Sequence, residues 1–512
     1  MLWLAYAVPK FKARSKRVTP DPGTSTTSSL QLSTPLVQEP PREFSMRHIS
    51  PRPIFEALVE GDVQLVSLKW LLGYVKKPRL SKNPRPLPRR QALPKAACLS
   101  PQRIKEIHHN CSGLDKLASA AQVQACVLPV IAISHAWLTE THPDPFGDNL
   151  IVIAEAIEAG FWAHKMDQVF EDCGVFLDWC SLYQEHGGKA GRTPAEHASF
   201  KRALNRTMDL WYAHQMTSVL FVTTVPSSYA KKAEVKPYGD RGWPTFERRS
   251  AQLIKRIKSC GTSGWFMCVD VAAVRQLGEE GADGSTPALV RGVSQSVASS
   301  RQVPFAPRAF KDLLEHKEFT NGADKEVVAR LYAKTAAAVL SSVTELVWDH
   351  ISVSHGEGTQ LGETLGFCDQ LERLSMRVMG LTDAEVVNLC GALEAGALPR
   401  LKELALHDNL FGDEAASALA SLIYRGAMPQ LTVLALSRNR GISAVGRATV
   451  KAAASSRPGL KILLTENARA SQRESFAMTQ SRQTSRERIE PNRNSRTSRV
   501  SVRTSTTTKS SH

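Results

Sequence analysis

The feature that most constrains this chain is a leucine pattern recurring every thirty residues in its C-terminal third. LERLSM at 371–376, LKELAL at 401–406 and LTVLAL at 431–436 place Leu371, Leu401 and Leu431 in one register, and Leu374, Leu404 and Leu434 in a second. The register continues beyond the leucines: Asp383 matches Asp413, Gly396 matches Gly426, Pro399 matches Pro429 and Asn409 matches Asn439. A partial further unit starts at Leu460 with LKILL. Units of this length cannot bury an apolar face alone, so they must stack and share one continuous core. Met379 stands where the later units have asparagine, which marks the unit starting at Leu371 as a degenerate cap.

This pattern, from 371 to about 464, resembles the leucine-rich repeat family in its longer, ribonuclease-inhibitor-like form. The resemblance implies a strand and a helix in every unit, leucines pointing into the solenoid, and an asparagine satisfying backbone groups where the chain turns. It also implies an extended surface for a protein partner, or a short solenoid that packs on its neighbouring domain.

Upstream, residues 125 to 270 change to short apolar runs alternating with helical periodicity. Strands are expected at Val127–Ser134, Val175–Trp179, Ser218–Thr223 and Trp265–Val269, with helices at Asn149–Ala159, Ala195–His214 and Pro244–Ile257. Such alternation predicts a parallel sheet covered on both faces, with ligands at the carboxyl ends of the strands. Residues 51–124 read as a small helical region with a Pro/Arg linker, NPRPLPRRQALP, that is expected to be solvated. Residues 271–309 read as a loop-rich insertion and 310–370 as a helical connector, in which the turn Asn321–Asp324 caps a helix from Lys325 to about Val343.

Four segments of the α/β region fall in a recognisable order. SHAW at 134–137 ends the first strand, DWCSLYQ at 178–184 ends the second, MDLWYA at 208–213 closes a helix, and RGWPTFE at 241–247 follows the third strand. This order resembles the heterokaryon-incompatibility (HET) domain, whose motifs read approximately LSYxWG, WIDxxCINQ, MxxIYxxA and RxWTxQE, and which is related to the Toll/interleukin-1 receptor (TIR) domain. Leu138 replaces the glycine of the first motif, Ser181 takes the cysteine's place in the second, Tyr183 replaces its asparagine, and Phe246 replaces the glutamine of the last. The expected fold class is therefore α/β. It comprises a flavodoxin-like (TIR/HET-like) parallel-sheet domain and a short leucine-rich-repeat solenoid over 371–465, between disordered flanks at 1–50 and 466–512.

Some TIR domains release nicotinamide from NAD with a glutamate on the helix after the third strand, and Glu247 occupies the matching place. The resemblance implies NAD as a substrate rather than a cofactor, with Glu247 catalytic and Ser134, His135, Trp137, Asp178, Gln184, Arg241 and Trp243 around the substrate. Cleaving an N-glycosidic bond builds positive charge on the ribose, which a carboxylate nearby stabilises, and Trp137, Trp179 and Trp243 offer stacking surfaces. Each residue also has a plainer reading. Glu247 could pair with Arg241 or Arg248, Asp178 could anchor Arg241, Ser134 could cap a turn and Trp243 could pack in the core. A Ser134–His135–Asp178 triad is disfavoured, because adjacent strand residues point to opposite faces.

The net charge of +16 invites a nucleic-acid reading, but its distribution does not support one. Residues 1–100 contribute +11 and 467–512 contribute +7, which leaves −2 for the middle. Nucleic acid is therefore disfavoured as a partner. Nine cysteines without a CxxC pair suit reduced thiols and a cytoplasmic setting rather than a zinc site or disulfide scaffold. The apolar start MLWLAYAV precedes its basic residues, the reverse of a signal peptide, and no later run approaches a membrane span. The overall expectation is a signalling or defence-type protein whose α/β domain assembles into a homo-oligomer or acts on a nucleotide.

Overall fold

The computed structural model describes residues 46–79, 86–110, 127–163, 170–185, 191–226, 229, 235–255, 267–271, 302–320 and 322–464. The expectations for the two flanks and for most of 271–309 lie outside the described residues. The chain is a mixed α/β protein, and its described residues form two sheets. The first sheet comprises β1 (Leu65–Ser67), β2 (Cys98–Leu99), β3 (Val130–His135), β4 (Gly174–Phe176), β5 (Ser218–Val222) and β6 (Cys268–Asp270), in the order β2-β1-β4-β3-β5-β6. β4, β3, β5 and β6 are parallel, whereas β1 runs antiparallel to both β2 and β4.

Strand alternation explains how this sheet is covered. Val130 and Ala132 of β3, with Val219 and Phe221 of β5, face a core that includes Trp211, Tyr212 and Phe246. These core residues come from the helices Pro194–Ala213 and Gly242–Gln252. Ile131 and Ile133, with Leu220 and Val222, face a second core on the other side, shared with Ile153 and Ile157 of the helix Asp148–Ala163. Apolar residues on both faces of each strand are what a central parallel strand requires.

Residues 51–124 are not purely helical as expected, because β1 and β2 extend the sheet from this region. The Pro/Arg linker is not simply solvated either. Arg90 is buried, stacks on Tyr183 and donates to Gly61 O at 2.7 Å and Ser181 O at 3.0 Å. Leu87 O receives the Trp179 indole N–H at 2.8 Å. The guanidinium binds carbonyls of the turns before β1 and after β4, which a charge count cannot register.

The second sheet is all parallel, in the order β11-β10-β9-β8-β7. Its strands are β7 (Glu345–Val347), β8 (Arg373–Ser375), β9 (Glu403–Ala405), β10 (Val433–Ala435) and β11 (Lys461–Leu463), each separated from the next by a helix. Leu346, Leu374, Leu404, Leu434 and Ile462 form one row across it. The four leucines are buried, contributing about 1.5–3 kcal/mol each. Asn409 donates to Met376 O and Leu406 O at 2.9 Å and accepts from the N–H groups of Met379 and Leu381. Asn439 donates to Leu406 O and Leu436 O and accepts from Asn409 N. A left-handed residue recurs at His350, Val378, Asp408 and Arg438.

The helical connector expected over 310–370 therefore contains the first strand and helix of this array, and the unit starting at Leu371 is not its cap. The earlier unit presents Val343, Leu346 and Trp348, with Leu346 twenty-eight rather than thirty residues before Leu374. That shorter spacing hides it from a thirty-residue search. Trp348 Nε1 donates to Leu253 O at 3.1 Å, and one apolar core continues from the first sheet into the repeats.

Candidate functional site

A cavity of about 290 Å³ opens at the carboxyl ends of β3 and β4. His135, Trp137, Asp178, Arg241, Trp243 and Glu247 all line it, joined by Glu140, Lys236, Glu318, Phe319 and Asp324. The position follows from topology. β3 precedes β4 and β5 in the chain but lies between them in the sheet, so the connections leave it in opposite directions and open a crevice above its end.

Glu247 sits on the helix Gly242–Gln252, preceded by a short turn at Tyr238–Asp240. It is buried, and its Oε2 accepts from Ser134 Oγ at 2.6 Å. Ser134 is wholly enclosed, and its Oγ also lies 2.7 Å from Tyr238 Oη, whose hydroxyl is 3.2 Å from Pro244 O. Burial pushes the Glu247 carboxyl well above the usual carboxylate range; the Ser134 hydrogen bond offsets this in part and the Asp178 charge adds to it. Burial likewise raises Tyr212 and Tyr238. The alternative pairing of Glu247 with Arg248 is not what forms, since Arg248 reaches toward Asp270 at 4.0 Å.

Asp178 opens a single helical turn, Asp178–Ser181, directly after β4. Its Oδ2 accepts from Trp137 Nε1 at 2.9 Å and its Oδ1 from Trp179 N at 2.7 Å. Two N–H donors suit a carboxylate acceptor. Asp178 thus fixes Trp137 rather than Arg241, whose Nε donates to Lys236 O at 3.1 Å. Burial lowers the Arg241 guanidinium.

Three site expectations are corrected. Gln184 does not line the cavity; its amide donates to Asp178 O at 2.8 Å and Leu182 O at 3.0 Å, tying down the turn that presents Asp178. Ser134 supports Glu247 from behind and is not at the cavity wall. Trp179 packs edge-on against Trp137 at 5.5 Å instead of facing the cavity. His135 lines the cavity, and it lies on the opposite strand face from Ser134, as alternation requires.

The far wall comes from residues 318–324. Glu318 N donates to Asp240 O at 2.7 Å and Gly242 N to Glu318 O at 3.0 Å. The Phe319 ring lies where a side chain on Gly242 would stand, so only glycine permits this approach. Trp243 Nε1 donates to Asp324 Oδ2 at 3.1 Å, and burial raises the Asp324 carboxyl to about 6. Asp324 was expected in the turn that caps a helix; it instead begins the helix Asp324–Leu340 and turns its carboxyl to Trp243. Tyr238, Phe319 and Asp324 escaped sequence reasoning because their relation to Glu247 depends on long-range packing. Tyr212 lay within the MDLWYA segment without an assigned role.

Among the described residues there is no cluster of three or more His, Cys, Asp or Glu fit to hold a metal ion. Nor is any described helix long and apolar enough to cross a membrane.

Comparison with known proteins adds little. No family model matches the chain, and no curated protein does. Solved structures that match include the actin-binding site 2 of leiomodin-1, 15% identical over 30% of this chain and 88% of its own, with a TM-score of 0.23. That likeness carries no argument about fold or function.

Proposed function

We propose that the α/β region is an N-ribosyl hydrolase for NAD or a related nucleotide, and that the repeats dock a protein partner that controls where or when it acts. The observation that carries this reading is the meeting of Glu247 and Asp178, from separate elements, in one cavity lined by Trp137 and Trp243. One carboxyl is buried against hydroxyls and the other is held by N–H donors. Environments that separate two carboxyl groups in this way suit an acid and an anion working together. The tryptophans offer faces for a base, and Lys236 and Arg241 at the rim suit phosphate.

The order of the parallel strands, with the second beside the first and the third and fourth on its other side, agrees with a flavodoxin-like sheet of the HET and TIR kind. The strand–helix units with their asparagine ladder agree with a leucine-rich-repeat solenoid. On the repeat strands, Glu345, Arg373 and Glu403 form a row of alternating charge, which Val433 separates from Lys461, and such a row suits a protein surface. Homo-oligomers through the α/β region and a cytoplasmic setting are part of the same proposal.

The test is incubation of the full chain with NAD and with nucleosides while free base is measured. Base release that falls at least a hundredfold in Glu247→Ala and in Asp178→Ala is the expected result. Equal turnover by wild type and Glu247→Ala removes Glu247 from the mechanism. If no base is released from any riboside, the hydrolase reading is lost and a scaffold remains.

A further inference from the structure

The hydrogens around Glu247 can be counted, and their number bears on the substrate. A hydroxyl carries one hydrogen. Three contacts run in a row, Glu247 Oε2 to Ser134 Oγ, Ser134 Oγ to Tyr238 Oη and Tyr238 Oη to Pro244 O, and the two hydroxyls bring only two hydrogens to them. Tyr212 lies beside the same carboxyl, and its one hydrogen has two acceptors, Ile133 O at 3.2 Å and Glu247. Three hydroxyl hydrogens thus serve five contacts, and a proton on Glu247 supplies a fourth. A carboxylate needs several donors to survive burial, whereas a neutral carboxylic acid donates once and accepts once. The surroundings of Glu247 are those of the neutral acid. Asp178, with an N–H donor on each oxygen, has the surroundings of an anion.

A neutral acid at this position is of no use to a leaving group that departs uncharged. Nicotinamide is such a group, because the pyridinium of NAD takes the electron pair of the broken bond and becomes neutral. A purine departs as an anion unless a proton reaches it. The cavity, at about 290 Å³, also falls at the small end of ligand sites, suited to a nucleoside or mononucleotide rather than to a whole dinucleotide.

Resting on the N-ribosyl hydrolase reading, we propose that the preferred substrates are purine nucleosides or mononucleotides, with Glu247 protonating the departing base and Asp178 facing the ribosyl cation. In the reaction the bond from C1′ to the base nitrogen breaks and its electron pair goes to the base, which takes the proton of Glu247. Water adds its oxygen to C1′, and the proton that it sheds restores Glu247. The products are free purine and ribose or ribose phosphate.

The experiment compares guanosine with 7-methylguanosine, whose base is already cationic and leaves without a proton. With the full chain, Glu247→Gln slows guanine release about 10²- to 10⁴-fold, the usual contribution of a general acid, and slows 7-methylguanine release less than tenfold. Retained turnover of 7-methylguanosine also shows that the variant is folded. In the wild type, guanosine turnover falls as pH rises and Glu247 loses its proton, while 7-methylguanosine turnover does not. Equal slowing of both substrates by the variant, together with parallel pH profiles in the wild type, overturns the role of Glu247 and leaves the hydrolase reading standing. Failure to release base from either nucleoside or from NAD overturns the hydrolase reading itself.

Discussion

Asp324 gives the most direct physical test of the cavity, because it needs no substrate. This side chain is only 2% exposed, and its carboxyl rises from 3.8 to about 6 through burial, which the Trp243 hydrogen bond offsets only in part. The folded state therefore holds the proton more tightly than the unfolded chain does. The associated stability is complete below pH 3.8 and is lost as pH rises through about 6. The difference corresponds to about 3 kcal/mol at pH 8. Asparagine has the same shape, carries no charge, and keeps an oxygen for Trp243 Nε1. Asp324→Asn is thus expected to match the wild type near pH 4 and to exceed it by up to about 3 kcal/mol at pH 8. Urea unfolding at intervals from pH 4 to 8, followed by tryptophan fluorescence, measures the gap, which should open mainly between pH 4 and 6. Trp243→Phe acts in the opposite sense, costing about 1.5–3 kcal/mol at pH 8, where it strips a donor from a carboxylate, and less at pH 4. A gap between Asp324→Asn and wild type that is constant with pH, or a variant less stable at pH 8, refutes the account.

Two further expectations concern the frame that holds the cavity. Asn409 makes four hydrogen bonds to backbone groups of the repeats and Asn439 makes three, so Asn409→Ala should cost about 3 kcal/mol or more, and about 1 kcal/mol more than Asn439→Ala, in denaturant unfolding. An equal cost would mean that the ladder is not what holds the turns. Lys255 is fully buried, donates to Thr217 O at 2.6 Å and Thr217 Oγ1 at 2.8 Å, and is lowered by burial from 10.5 to about 7. A lowered lysine contributes stability that is complete above pH 10.5 and lost as pH falls through about 7. The advantage of wild type over Lys255→Met should therefore shrink by about 3 kcal/mol between pH 9 and pH 6; thermal unfolding across that range would contradict this by showing a constant difference.

What could be read in the sequence depended on how far each interaction reaches along the chain. VIAIS and VFLDW announce buried strands because their apolar residues continue on both faces, and each carries at or next to its end a polar residue that has little reason to be there except an open edge. That was enough to mark Ser134 and Asp178, and the proline-started helix after β5 marked Glu247. The strands Leu65–Ser67 and Cys98–Leu99 were not legible, since two or three residues carry no alternation to detect. Gln184 was misread for a related reason. It lies among polar residues after a strand end, but its amide is spent on two carbonyls of its own turn, and only three-dimensional closure decides that.

The segment that closes the cavity also joins it to the repeats. Phe319 fills the space above Gly242, Asp324 holds Trp243, and the helix that begins at Asp324 buries Val328, Tyr332 and Val339 in the core shared with the sheet. That helix leads into β7, the first strand of the repeat sheet, where Trp348 reaches back to Leu253 at the end of the Glu247 helix. Were a partner to dock on the repeats as proposed and tilt the first of them, it would act on both ends of this connection, on Leu253 beyond Glu247 and on Asp324 beside Trp243. Coupling needs an element that both sites bias, and the helix Asp324–Leu340 is placed to be that element. Cutting the chain after residue 270 would remove Glu318, Phe319 and Asp324 and leave the wall beside Trp243 open, so the α/β region and the repeats must be assayed as one chain.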